Sequence, residues 1–176
     1  MNFAPIDERW MRRALELAER GRWTTWPNPM VGCVVVDQER CIGEGWHQKF
    51  GEGHAEVNAL RQIDVGSDLS QATAYVTLEP CSHVGKTPPC AQLLTERGVG
   101  RVVVGMEDPN PLVSGRGIKL LREAGLHVEV GCLAKEAQHL NARFVHAMTK
   151  STPWVTLKWA QSSDGFIDPE TQAPSG

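Results

Sequence analysis

TAYVTLEPCSHVGKTPPCAQLLTERG, residues 73–98, reads as a strand, a proline-punctuated loop and a helix in immediate succession. The run from Thr73 to Pro80 suits a buried strand, and Cys90 to Arg97 suits a helix that stops at Gly98. Cys81 follows the strand directly, and Cys90 opens the helix nine positions later. The same alternation continues on both sides. Downstream, RVVVGMED (101–108) is a strand, Ser114 caps a helix running to Gly125, HVEVGC (127–132) is a strand, and a last helix covers 134–148. Upstream, residues 7–20 place Met11, Ala14, Leu15 and Ala18 on one helical stripe that ends at Gly21. VGCVVV (31–36) and CIGEGWH (41–47) pair as a hairpin across DQER, and a helix follows from His54 to Ile63. Strands alternating with helices specify an α/β layered domain with a partly parallel sheet, and the opening hairpin makes that sheet mixed.

Composition narrows the function classes. The chain has 176 residues, enough for one well-filled domain. Its 41% hydrophobic and 22% charged residues are ordinary for a soluble globular protein. A net charge of −3 provides no global attraction to nucleic acid or an anionic membrane. No apolar run approaches the roughly 20 residues of a spanning helix, and MNFAPIDERW is not a secretory signal. Five cysteines, at 33, 41, 81, 90 and 132, are an odd count that favours reduced thiols in a cytoplasm. Cys33, Cys41 and Cys132 lie on or near strands and read as packed hydrophobes. For Cys81 and Cys90 a metal therefore competes more strongly than a disulfide.

Chemistry-bearing residues gather where strands end and helices begin, the place where open α/β sheets bind ligands. GEGHAEVNAL (51–60) puts His54 and Glu56 at the start of a helix. Two helical positions two apart face about 200° away from each other, so both reach one site only if His54 sits in an irregular first turn. Gly51 and Gly53 permit that. Two thiolates and an imidazole suit zinc, and three ligands leave a fourth position for water, which zinc acidifies. Glu56 beside them then carries protons without being a ligand. A closed structural site, with His47 or His83 as fourth ligand, remains an alternative, although it leaves Glu56 no task.

H-x-E followed by P-C and a second cysteine is the zinc-deaminase pattern, here with C-x8-C in place of C-x2-C. PNPMVGC (27–33), GWHQKFGEGHAEVNAL (45–60), TAYVTLEPCSHVGKTPPC (73–90) and MEDPNPLVSGRGI (106–118) resemble the pyrimidine deaminase domain of bacterial riboflavin biosynthesis, over about residues 8 to 148. The resemblance implies a three-layer α/β/α cytidine-deaminase-like fold with about five strands. It implies Zn2+ held by His54, Cys81 and Cys90, with Glu56 as the catalytic proton carrier. It also implies substrate contacts by Asn28, His47, His83, Lys86, Asp108 and Asn110, although Asn28 and Asn110 lie in Pro-Asn-Pro triplets where turn formation explains them equally well. Lys86 supplies a cation for a phosphorylated substrate. The implied reaction removes ammonia from a ribosylaminopyrimidine 5′-phosphate in the cytoplasm, in a homodimer or higher homo-oligomer, with neither nucleic acid nor membrane as partner. A nucleotide or tRNA deaminase and a non-catalytic zinc module are the competing readings.

After Lys150 the composition shifts. Residues 1–150 read as the deaminase domain and 151–176 as a linker with the first strand of a reductase-like unit. WVTLKWAQSSDGFI (154–167) resembles the first strand and turn of the NADPH-using reductase that commonly follows this domain. Nothing after it offers a dinucleotide site, so no reductase activity is expected of these residues.

Overall fold

The computed structural model describes residues 3–82, 88–111 and 113–163. In chain order the elements are α1 (Pro5–Glu19), β1 (Gly32–Asp37), β2 (Arg40–Trp46), α2 (Ala55–Leu60), β3 (Thr73–Leu78), α3 (Cys90–Glu96), β4 (Arg101–Met106), α4 (Arg116–Glu123), β5 (His127–Val130), α5 (Ala134–Leu140) and α6 (Ala142–Thr149). The five strands form one sheet in the order β2-β1-β3-β4-β5. β1 runs antiparallel to both β2 and β3, whereas β3, β4 and β5 are mutually parallel. The mixed α/β sheet expected from the sequence is the one observed.

Period-two alternation divides the strand residues between two cores. Cys33, Val35, Ala74, Val76, Val102 and Val104 face Ala59 and Leu60 of α2, Leu94 of α3 and Leu121 of α4. On the other face Val34, Val36, Tyr75 and Val103 meet Met11, Ala14 and Leu17 of α1. Helices thus cover both faces, giving three layers. α2 lies unusually close to β2. A Cβ on Gly45 would come within 2.6 Å of the Ala59 nitrogen, so glycine is required for that approach.

Several expectations need correction. Ser114 is not the cap of α4. The N-cap is Gly115, in the left-handed region at φ 78°, and it provides no side-chain cap. The helix expected over 134–148 is two helices that meet at Asn141. The Asn141 side chain is buried and engaged elsewhere: its Oδ1 accepts from the Met30 N–H and its Nδ2 donates to the Met30 carbonyl, both at 2.8 Å. Cys33 and Cys132 are buried as expected, but Cys41 is exposed because it lies on the outer edge strand. Trp154 to Ala160 is exposed and forms no strand, since no neighbouring strand pairs with it. A lone strand buries too little to persist.

Candidate active site

The site forms at the carboxyl ends of the parallel strands. Cys81 follows β3, Asp108 follows β4, and the start of α2 approaches from the side. His54 is the N-cap of α2 and keeps extended backbone angles of φ −70° and ψ 167°. It therefore escapes the helical phase that would separate it from Glu56, as the sequence requires. Hydrogen bonds hold this turn. Asn58 Nδ2 donates to the Trp46 carbonyl at 2.8 Å and to the Gly53 carbonyl at 3.2 Å.

His54 Nδ1 lies 3.5 Å from Cys81 Sγ and 3.3 Å from Cys90 Sγ. The ligand atoms of these three residues all fall within 4.8 Å of one another. A tetrahedral zinc with Zn–S about 2.3 Å and Zn–N about 2.0 Å would hold such a pair about 3.5 Å apart. Donor set and spacing both fit the ion. The Cys90 backbone N–H at the start of α3 donates to Cys81 Sγ at 3.3 Å, which favours a thiolate there. Without metal, the hydrogen bond between the two cysteine side chains holds the Cys81 thiol down to about 4, against the opposing effect of burial and with help from His54. That same cysteine contact, together with burial, pushes Cys90 upward. Of the two thiols, Cys81 is thus the more readily ionised.

Glu56 is 3% exposed. Burial, reinforced by the neighbouring Cys81 charge, pushes its carboxyl up to about 7. A carboxyl poised there can both take and give a proton near neutrality.

A cavity of about 440 Å³ brings together Asn28, His47, His54, Glu56, Cys81, Asp108 and Asn110. Seven of the ten residues singled out in the sequence therefore share one space, and Cys90 sits behind Cys81 in the cluster. His83 and Lys86 lie outside the described residues. His47 is buried, and burial lowers its pKa despite the Gly53 contact. Its Nδ1 donates to the Gly53 carbonyl at 3.2 Å, which leaves Nε2 to accept from Asn28 Nδ2 at 3.1 Å. A neutral His47 thus orients Asn28. Asn110 combines the two roles weighed for its triplet, turn and cavity lining. Asp108 Oδ1 accepts from the Asn110 N–H at 2.8 Å, and both residues line the cavity.

Sequence reasoning missed Phe144 and Met148 of α6, which close the apolar side of the cavity, and the buried Glu79. An acidic residue directly after a buried strand was the available signal for Glu79. For α6 the sequence offers only a helical stripe, with nothing to place it over the site.

Residues 5–106 match the family described as the cytidine and deoxycytidylate deaminase zinc-binding region. Riboflavin biosynthesis protein RibD of Escherichia coli (strain K12) is 54% identical over 159 residues, which cover 90% of this chain and 43% of that protein. The diaminohydroxyphosphoribosylamino-pyrimidine deaminase of Buchnera aphidicola subsp. Schizaphis graminum is 46% identical over 147 residues, 84% of this chain and 99% of that protein. Among solved structures, Acinetobacter baumannii RibD superposes with a TM-score of 0.85 at 52% identity, covering 90% of this chain and 44% of that one. The chain spans about two fifths of the length of the RibD relatives it matches.

Proposed function

The chain belongs to the cytidine and deoxycytidylate deaminase family, carrying its zinc-binding region, and we propose that it deaminates 2,5-diamino-6-ribosylamino-4(3H)-pyrimidinone 5′-phosphate by hydrolysis. The products are 5-amino-6-ribosylamino-2,4-pyrimidinedione 5′-phosphate and ammonia. The observation that carries this reading is the buried Glu56 beside the His54–Cys81–Cys90 cluster, within one cavity that also holds Asn28 and Asp108. Identity along nearly the whole of the Buchnera deaminase supports the choice of substrate.

His54, Cys81 and Cys90 would hold the ion and leave one position open. When bound, zinc supplies a Lewis acid that renders water nucleophilic near neutral pH. The Glu56 carboxylate accepts a proton from the attacking water. It passes that proton to the ring nitrogen, then takes the second proton from the hydroxyl added to the ring carbon and gives it to the departing amine, so that the carbonyl forms and ammonia leaves as a neutral molecule. Asn28, fixed by neutral His47, presents its amide to the polar edge of the pyrimidine. Asp108 and Asn110 face the same ligand from the loop after β4. In this reading Lys86 pairs with the phosphate, and His83 is a further substrate contact.

Residues 1–150 constitute the deaminase unit, with 151–176 a following segment. On the same reading the protein works in the cytoplasm as a homodimer or higher homo-oligomer on a small phosphorylated molecule. Among the described residues no helix is long and apolar enough to cross a membrane. The test is ammonia release by the zinc-loaded chain from the diaminopyrimidine phosphate, deoxycytidine monophosphate and a tRNA anticodon stem-loop, assayed side by side. Preferred turnover of the first is expected. Faster turnover of either of the others would overturn the assignment.

A further inference from the structure

Glu79 is buried, and its carboxylate accepts four backbone N–H groups from residues 29 to 39 positions away. Oε2 accepts from Asp108 at 3.1 Å and from Gly115 at 2.9 Å. Oε1 accepts from Gly117 at 2.8 Å and from Ile118 at 3.3 Å. A carboxylate has about four acceptor positions, so these amides fill its capacity and leave none for a ligand. Glu79 also replaces the side-chain cap that α4 lacks, since the N-cap residue is Gly115.

The four amides bracket the loop that forms one wall of the cavity. Asp108 begins it and Gly115 ends it, with Asn110 and Val113 facing the cavity between them. Inside the bracket the bonds run on. Asp108 Oδ1 holds the Asn110 amide at 2.8 Å, and the Asn110 carbonyl accepts from Val113 and Ser114 at 2.9 Å each. The first turn of α4 presses directly on the Glu79–Pro80 backbone: a Cβ on Gly117 would lie 1.9 Å from the Pro80 carbonyl oxygen. Two residues beyond Glu79 is Cys81. One side chain thus joins the strand end that carries a metal ligand to the loop that carries two candidate substrate contacts.

We infer that Glu79 is a positioning residue for substrate binding: its carboxylate sets the 108–115 loop at the distance from the zinc cluster that the pyrimidine phosphate requires. This rests on the deaminase reading above. Glu79→Gln keeps the volume but replaces one acceptor oxygen with an NH2 group that would face amide N–H groups. Glu79→Asp keeps the charge, but a side chain one methylene shorter reaches one pair of amides and not the other.

The experiment compares zinc content, amide hydrogen exchange and steady-state deamination in the full chain and both variants. For Glu79→Gln the expectation is unchanged zinc, faster exchange at Asp108, Gly115, Gly117 and Ile118, and a KM raised at least about 10-fold with kcat within about 3-fold. Glu79→Asp should fall between the two, and it decides the matter if the glutamine variant does not fold. Unchanged exchange and KM in the folded variants would overturn the proposal. So would loss of zinc in both, which would place the effect at the metal. If the wild type does not turn over the diaminopyrimidine, the functional reading fails alone. The exchange pattern then still decides whether Glu79 sets the loop.

Discussion

Two polar clusters occupy opposite ends of the same parallel strands, and they solve the burial of charge in opposite ways. At the amino ends, Arg101 of β4 pairs with Asp7 of α1 at 2.7 Å and with Glu129 of β5, and Tyr75 OH donates to Asp7 at 2.9 Å. Each carboxylate there has an opposite charge in contact, with Arg101 shared between Asp7 and Glu129. At the carboxyl ends, two thiols, an imidazole and a buried carboxyl converge, and no cationic side chain of the described residues pairs with them. Unpaired charge inside a protein is expensive unless it is neutralised, and a divalent cation supplies what the carboxyl end lacks. On the proposed function the amino end stabilises the fold and the carboxyl end does the chemistry, so substitutions at the two should be separable.

The largest expected effect is at the metal end. Cys90→Ser should lose most of its zinc and much of its thermal stability, because metal binding and folding are linked; elemental analysis and a melting curve check both. Arg101→Met should lower stability by about 1–3 kcal/mol, less than for a fully buried pair because Arg101 is partly exposed. It should leave zinc content and kcat unchanged. Urea unfolding with parallel kinetics tests this, and a collapse in kcat at full zinc would dissolve the contrast between the ends.

The amino end should also show its own pH dependence. Burial raises the Asp7 pKa, but hydrogen bonds from Arg101 and Tyr75 outweigh it and hold the group below its ordinary 3.8. Its stabilisation is therefore present above the unfolded value and lost as pH falls through the lower folded one. The stability gap between wild type and Asp7→Asn should be full at about pH 6 and shrink below about pH 4. A gap that widened on acidification would contradict the assignment. The smallest effect is that of Tyr75→Phe, which removes one hydrogen bond to Asp7 and should lower stability by about 1 kcal/mol.

The two ends also differ in how far the sequence exposes them. His54, Glu56, Cys81 and Cys90 are readable because each lies at a local boundary, a glycine-flanked helix start or a strand end. Their chemistry needs those residue types at that spacing. The sheet is readable for the same reason, since strand and helix runs are local. Arg101 and Asp7 stand 94 positions apart and show nothing locally. Glu79 reads as a strand terminus until α4 folds against it, and Asn141 reads as mid-helix until Met30 claims its amide. Trp154 to Ala160 shows the reverse failure: strand-like residues form no strand without a partner edge. Contacts between distant segments decide these cases, and a single sequence does not display them.

On the proposed function Glu56 moves protons beside a zinc it does not bind. Glu56→Gln keeps the shape of the side chain and removes the carboxylate, so zinc content and ammonia release should be measured on the same purified sample. Zinc should equal wild type, and turnover of the diaminopyrimidine phosphate should fall by about 10²–10⁴-fold. Wild-type turnover at full zinc would contradict it.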